Sequence, residues 1–457
     1  MLQPEIRQNL RHNFTVNILD AAFFGLALGF ASFVTVIPLF VNTLTHSTVI
    51  IGLVTAIHGI GWQLPQLLTS NRVAQLRRYK PMVIFLTIHE RWPFLGLAVV
   101  AALVFSLGKP LALLFTLILL AWMSLGGGMT ATAWQSMIGK IMPESRRGTF
   151  FGLQSAAANL LSSGGAVLAG ILLDRLPAPW NFAVCFLIAG LAMGVSFTFL
   201  AQTREPAHEL AGETVGKRRS LRDYAALVRG DANFRWFLLA RSLAQVAAMA
   251  VNFYTIYAVR RFQMSGEVAG VMTGVLLFSQ TVANPILGWA GDRFGHRLVY
   301  AFGVLLAALS AALAIIAPDI SWFYVIFALS GVTAVVLWTT SMSLTLDFGT
   351  ESERPAYIGL ANTLTAPVSL TVALVGGFLA DSVGGQSRAL ASLYEANNHL
   401  QLLVAPLNQP GLVDTSGFQA AFLVSVIAGL LTALILWFNM RDPRQKRQAL
   451  KLQLAGA

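Results

Sequence analysis

Cysteine occurs once in these 457 residues, at Cys185. A lone thiol excludes an internal disulfide and a thiolate metal cluster. Charge is nearly as scarce. Only 11% of the residues are Asp, Glu, Lys or Arg, against roughly 25% in an ordinary soluble domain. So little charge cannot cover a water-soluble protein of this size, which argues against a soluble α-protein with a large apolar core. There are no clustered His, Asp and Glu ligands and no defensible nucleophile–base spacing, so an enzyme is not expected. Gly126-Gly127-Gly128 and Gly164-Gly165 are glycine runs, but no strand precedes them and no Lys-Ser/Thr completes them. They are not phosphate loops, and close helix packing explains them better. No cofactor, no metal and no ATP-binding module are expected. Met1 to His12 is polar and leads straight into a long apolar run, unlike a cleaved signal peptide.

What the chain does have is hydrophobic length. Apolar residues make up 56% of it. They fall into twelve runs, at Phe14–Phe40, Thr48–Thr69, Pro81–Ser106, Leu111–Met137, Gly148–Leu173, Trp180–Leu200, Phe234–Val259, Val268–Ala290, Leu298–Ala317, Trp322–Leu346, Pro355–Ala380 and Gly417–Phe438. At about 1.5 Å per helical residue, such runs cross a hydrocarbon core of about 30 Å. The reading is an all-α polytopic membrane protein of twelve helices. The net charge of +11 sits in short links, the pattern of membrane topology and not of nucleic-acid binding. Of 31 Lys and Arg, 24 fall on the side of the termini and 5 on the other. The rich side is cytoplasmic by the positive-inside rule, which places both termini inside. The expected location is the plasma membrane, the inner membrane of a bacterium.

The chain repeats. Glu144-Ser145-Arg146-Arg147 aligns with Glu351-Ser352-Glu353-Arg354, and Gly152, Gly170 and Asp174 continue onto Gly359, Gly377 and Asp381. Asn13-Phe14 matches Asn233-Phe234. Residues 1–200 and 233–440 are therefore read as two six-helix bundles in parallel orientation. Residues 201–232 form a surface-lying linker carrying Lys217-Arg218-Arg219, 381–416 an extracytoplasmic loop, and 441–457 a basic tail. Two such bundles enclose a central cavity and can rock about it.

Between the eighth and ninth runs lies Gly288-Trp289-Ala290-Gly291-Asp292-Arg293-Phe294-Gly295-His296-Arg297. It is short, charged and glycine-punctuated. Its first-half partner, Asn71-Arg72-Val73-Ala74, has Asn for the acid and Ala for the glycine. With these motifs the chain resembles the major facilitator superfamily of secondary transporters, over essentially all twelve runs. Gly288, Asp292, Arg293, Gly295 and Arg297 match that family's loop between the second and third helices of a half, and Pro143 to Gly152 its other cytoplasmic signature. The resemblance implies a gate that holds the cytoplasmic side shut, with Arg147 and Arg354 at the repeated sites. It also implies that Asp292 caps the eleventh helix near Pro355. The altered copy at Asn71 and Arg72 implies asymmetric control. A plain inside-positive turn is the alternative.

The resemblance implies a monomeric secondary active transporter working by rocker-switch alternating access on a small organic solute, with protons as coupling ion and membrane lipids around it. Export of amphipathic compounds is expected slightly ahead of solute uptake, for a sugar or other metabolite, and of lipid flipping. Charges inside a membrane are costly and so are candidates for function. They are Asp20, Glu90, Arg91 and Arg241. Asp20 and Arg241 lie at matched depth in the two halves, and a pair across the cavity is one expectation. Glu90 is the leading proton carrier. Glu90 and Arg91 are helix neighbours about 100° apart, so they are not expected to face each other. Structural pairing with other helices is the alternative for both. His58 and His89 read as packing residues. Trp62, Gln63, Asn252, Asn284, Trp338 and Asn362 are candidates to line the cavity, although polar residues also bond helices together.

Overall fold

Helix dominates the described backbone, as a chain in lipid requires, because only internal hydrogen bonds can satisfy its amides there. The structure, a computed structural model, describes residues 4–33, 35–45, 48–207, 219–263, 266–350, 353–369, 371–372, 375 and 416–443. In order the helices are α1 (Pro4–Phe30), α2 (Val36–Leu44), α3 (Thr48–Gln63), α4 (Gln66–Ala74), α5 (Lys80–Arg91), α6 (Pro93–Ala102), α7 (Val104–Leu107), α8 (Lys109–Ile141) and α9 (Arg147–Arg175). Then follow α10 (Trp180–Ala201), α11 (Leu221–Gly230), α12 (Ala232–Ala247), α13 (Tyr254–Phe262), α14 (Gly266–Phe294), α15 (His296–Ile316), α16 (Trp322–Val335) and α17 (Ser341–Thr345). The last two are α18 (354–369) and α19 (Ser416–Leu434).

Among the described residues, 10 helical segments are long and apolar enough to cross a membrane. They correspond to the expected runs except the second and the eleventh. The second is not continuous. Pro65 lacks an N–H and its ring crowds the carbonyl one turn back, so the helix divides into α3 and α4. The eleventh is helical over 354–369, and its end at 376–380 lies outside the described residues, as do Lys217, Arg218, 381–415 and 444–457. The first run is also corrected. It starts at Pro4 and stops at Phe30, with α2 separate. There the Ser32 hydroxyl accepts the Thr35 N–H at 3.3 Å, a bond that competes with helix continuation. The third run turns at Trp92-Pro93, directly after Glu90 and Arg91.

Lipid tails are as apolar as leucine, so apolar contact with neighbours is not what joins these helices; close packing and polar bonds are. Gly25 and Gly29 of α1 lie against the α9 backbone at Ala158 and Ser162, where a Cβ would collide. Gly126, Gly127 and Gly128 let α8 run against the His89 backbone, the Glu90 carboxylate and the carbonyls of Gly61 and Trp62. Gly165 likewise touches α1 at Leu26, whereas Gly164 faces open space. One buried apolar cluster spans Ala27 to Met193, and two more lie within 224–440. A fourth, around Met137, Phe150 and Phe151, also takes in Leu346 and Ile358 from the second half.

The face holding the helix ends near Pro4 and Asp442 is tied by side chains that cap distant backbone. Asn13 grips Arg204 through both main-chain groups, at 2.8 Å each, and Asn233 grips Arg441 in the same way, at 2.8 and 2.9 Å. The repeat seen in the sequence is thus a repeated clamp. Glu205 accepts the N–H groups of Tyr79 (2.9 Å) and Lys80 (2.7 Å) at the start of α5 and pairs with Lys140 at 3.0 Å. The linker helix α11 opens on a Ser220/Asp223 capping box. It docks through buried Tyr224, whose hydroxyl lies 2.6 Å from Ser70 Oγ on α4. Tyr224→Phe is expected to cost about 1 kcal/mol at this contact. The measurable result is faster trypsin cutting at exposed Arg222 and Arg229, with the purified protein still monodisperse.

Candidate functional site

Three of the four intramembrane charges converge. Arg91, at the end of α5, donates from Nη2 to Asp20 Oδ1 on α1 at 2.9 Å and to Ser196 Oγ on α10 at 3.2 Å. Ser196 donates to the same carboxylate oxygen at 2.6 Å. The guanidinium lies over the Phe24 ring, 5.3 Å from its centroid. Both side chains of the pair are only 7% exposed. The charge cost of burial is offset because each member has the other and a hydroxyl. Glu90 is held more loosely. Thr87 Oγ1 donates to it at 3.4 Å, Arg91 Nη1 stands 3.9 Å away, and its side chain is 20% exposed. Glu90 and Arg91 thus form no close pair, in keeping with their angular offset on the helix, yet both border the same space.

Asp20 does not pair with Arg241. The Asp20 face of α1 turns into its own half, between α5 and α10. Arg241 on α12 instead donates to Asn362 Oδ1 on α18 at 2.6 Å, and Asn362 Nδ2 donates to Gln66 Oε1 on α4 at 2.5 Å. Arg241, Asn362 and Gln66 form a polar strap between the halves. Beside it, Thr363 meets the backbone freed at the Pro65 break, accepting the Leu67 N–H and donating to the carbonyls of Gln63 and Leu64, each at 3.3 Å.

The converged charges edge a cavity of about 210 Å³. Asp20, Phe24, Glu90, Arg91, Trp134, Gln154 and Ser155 line it from the first half, with Trp62; Trp338 and Met342 line it from the second. A second compartment of about 130 Å³, with Phe33, His58 and Phe94, shares Phe24, Trp62, Glu90 and Trp338 with the first. Trp62 and Trp338 stand between them, ring centroids 4.9 Å apart. His58 stacks on Phe33 at 3.8 Å, while His89 accepts the Trp122 indole N–H at 3.1 Å on the outer surface.

Of the six sequence candidates for the lining, Trp62 and Trp338 border the cavity. Gln63 instead bonds Ser369, at 3.5 Å. Asn284 accepts from Thr339 at 2.9 Å and is buried between helices. Asn362 belongs to the strap, and Asn252 is exposed. Amides in a membrane protein are at least as useful for joining helices as for gripping a solute. Phe24, Trp134, Gln154 and Ser155 are absent from the sequence candidates, because facing the cavity depends on how each helix is rotated. Three tryptophans within reach of one half-buried carboxylate were the available signal.

At the terminal face, the glycine-punctuated loop crosses to the first half. Asp292 Oδ1 accepts the Gly148 N–H at 2.8 Å and Oδ2 the Thr149 N–H at 2.7 Å. Among the described residues it therefore caps α9, where the sequence pointed to the eleventh helix. The reason is proximity: Gly288 rests on the Gly148 carbonyl and Gly152 on the Asn284 carbonyl, so α14 and α9 touch backbone to backbone. His296, absent from the sequence candidates, is buried between carboxylates, with Nδ1 2.9 Å from Asp347 and Nε2 3.8 Å from Asp292. Gly295 takes φ +94°, which turns the chain into α15. Arg297 donates to the Met440 carbonyl. Arg293 lies over the rings of Trp289 and Phe294, at 5.5 and 5.7 Å. The repeat-related pair Arg147 and Arg354 meets at Gly139: the first donates to its carbonyl, and the second packs against its Cα. Asn71 accepts the Arg219 N–H at 2.9 Å and donates to the Arg219 carbonyl at 2.8 Å. An amide can do both and a carboxylate cannot, which accounts for Asn at this place. Arg72 is exposed.

A sequence profile of the Major Facilitator Superfamily matches residues 81–265 and 239–454. The chain belongs to this superfamily. It is similar to Multidrug resistance protein 1 of Bacillus subtilis (strain 168), 25% identical over 118 residues, which is 26% of this chain and 30% of the relative. Multidrug resistance protein 2 of the same organism is 26% identical over 117 residues, 29% of its length. The match thus spans about a third of these relatives. Among solved structures, the E. coli fucose:proton symporter FucP covers 94% of this chain and 98% of its own, at 15% identity and TM-score 0.68. A bacterial homologue of the iron transporter ferroportin, in an outward-facing state, covers 93% and 98%, at 14% identity and TM-score 0.64. The human organic anion transporter MFSD10 covers 95% and 100%, at 15% identity and TM-score 0.62. At such identities these likenesses show the fold. As a superfamily member the protein is a polytopic membrane transport protein, not an enzyme.

Proposed function

We propose that this superfamily member exports amphipathic organic compounds in exchange for protons, by rocking two six-helix bundles with both termini in the cytoplasm. The observation that carries the reading is the aromatic cavity bordered by Trp62 and Trp338, one from each half, and by a loosely held, half-buried carboxylate, Glu90. An aromatic, mostly apolar chamber suits amphipathic solutes better than a sugar, which needs many directed polar groups. The Bacillus relatives are named for multidrug resistance, which export of such compounds would give. The 24 to 5 distribution of basic residues supports cytoplasmic termini. In that orientation the bonds at Asp292 hold the cytoplasmic side closed, and the strap and the glycine contacts must part for the other state.

Glu90 is the proposed proton carrier, since a carboxylate with one weak donor and a cation at 3.9 Å can exchange its proton with less loss than Asp20. The test uses proteoliposomes with an imposed proton gradient and an internal pH dye. Addition of a transported amphipathic dye is expected to release protons in step with dye movement. Glu90→Gln is expected to keep dye counterflow while gradient-driven accumulation falls at least about tenfold. Dye movement that ignores the gradient in the unaltered protein overturns the coupling.

A further inference from the structure

We infer that an anionic phospholipid seats its headgroup in a basic pocket at the terminal face, where α1, α5 and α10 end. This rests on that face lying at a membrane surface and on nothing in the transport reading above. The pocket has a volume of about 560 Å³, larger than the central cavity, and shares no residue with it. Arg78 and Lys80 reach it from the entry to α5, Arg204 from the chain just after α10, and Glu5 and Asn9 from the first turns of α1. Glu205 is buried in its wall.

The charges do not cancel. Glu205 attracts the Lys80 ammonium from a distance, but its oxygens are taken. Oε1 accepts the Tyr79 N–H at 2.9 Å and the Lys140 ammonium at 3.0 Å, and Oε2 accepts the Lys80 main-chain N–H at 2.7 Å. With Lys140 assigned to Glu205, the cations Arg78, Lys80 and Arg204 face Glu5 alone, a formal surplus of two positive charges. Among the described residues the Arg78 side chain has no hydrogen bond or ion pair, and the Arg204 guanidinium has one, to the neutral Asn9 amide oxygen at 3.2 Å. Arg78 and Lys80 stand near enough for their like charges to oppose each other. An anion between them turns that repulsion into two attractions, and a phosphate offers several oxygens to a guanidinium. The surface below the pocket selects a lipid over a soluble anion. Pro81 and Ile84 continue the wall along α5 toward the hydrocarbon, and Phe85 is 65% exposed. On α10, exposed Val195 and Leu191 lie below Gln202, which lines the pocket. Acyl chains thus have apolar surface beside a headgroup held by cations, and basic pockets of this kind between helix ends suit anionic lipid headgroups.

Native mass spectrometry of the purified, full-length protein, titrated with dioleoylphosphatidylglycerol or dioleoylphosphatidylcholine, tests this. The two lipids share their acyl chains and differ in net charge. Phosphatidylglycerol is expected to bind at least about tenfold more tightly. Arg78→Gln, which has no side-chain bond to break among the described residues, is expected to weaken it about fivefold. Arg78→Gln combined with Lys80→Gln and Arg204→Gln is expected to remove the preference. The fold is spared, because Lys80 meets Glu205, and Arg204 meets Asn13, through main-chain groups. A control combining Arg11→Gln, Arg222→Gln and Arg229→Gln takes the same charge from exposed sites outside the pocket and is expected to keep the preference. Arg78→Lys with Arg204→Lys, which preserves the charge, is expected to keep it too. Equal binding of the two lipids, an unchanged preference in the triple pocket variant, or an equal loss in the control overturns the inference. Displacement of phosphatidylglycerol by excess inorganic phosphate also overturns it, since the site would then belong to a soluble anion.

Discussion

Arg91→Met is expected to leave little monodisperse protein after extraction, and Asp20→Asn added to it is expected to recover most of the loss. Removing the guanidinium strands the Asp20 carboxylate, 7% exposed, with Ser196 as its remaining hydrogen-bond partner. Breaking a buried pair from one side costs about 3–5 kcal/mol, because the penalty is that of an uncompensated charge. Neutralising both members removes that penalty and leaves a neutral amide in place of the carboxylate, still able to accept the Ser196 hydroxyl. A double-mutant cycle read by thermal unfolding in detergent measures the coupling directly. If Arg91→Met is as stable as the unaltered protein, the pair is not structural. If the double substitution is as damaged as the single one, Arg91 acts through packing on Phe24 and not through charge. A stable double variant would also separate the neutral frame from Glu90, the group proposed to carry the proton.

Gly288→Leu is expected to open the terminal face and reduce transport about 5- to 150-fold, the range of a coupling energy of this size. Any side chain at this position meets the Gly148 carbonyl and lies 3.2 Å from Gly152 Cα. Overpacking of this kind costs about 1–3 kcal/mol. The cost applies only where α14 and α9 touch, so it shifts the equilibrium toward the state in which they part. Asp292 would lose its hold on the Gly148 and Thr149 N–H groups in the same step. The readout is a Ser155→Cys reporter in the cavity, in a background with buried Cys185 changed to Ala. Labelling by an impermeant maleimide from the terminal face should accelerate in Gly288→Leu. Unchanged labelling with intact transport would show that these helices do not part during the cycle.

Much of the site was open to a reader of the sequence, though not its pairings. Asp20, Glu90 and Arg91 stand out because each is a charge inside an apolar run. Their partners do not, because Ser196 is one small polar residue among many. Depth along a helix can be counted, and rotation about its axis cannot. Asp20 and Arg241 were matched in depth, yet their faces point to different neighbours. The same limit separates Trp62 and Trp338, which border the cavity, from Asn284 and Asn362, which bond other helices.

Composition and hydrophobic run length by themselves determined that this is a helical membrane protein, because a chain in lipid has to satisfy its own backbone and hide almost every charge. The repeat and the Gly288 to Arg297 loop determined the superfamily. Only the tertiary structure decided that Asp292 caps α9, that His296 sits between Asp292 and Asp347, and that Arg91 belongs to Asp20. Apart from the approach of His296 to Asp292 within one turn, these are contacts between residues 51 to 144 positions apart. They depend on which helix ends meet, and that is set by backbone approach at glycines and breaks at prolines, not by any periodicity along the chain.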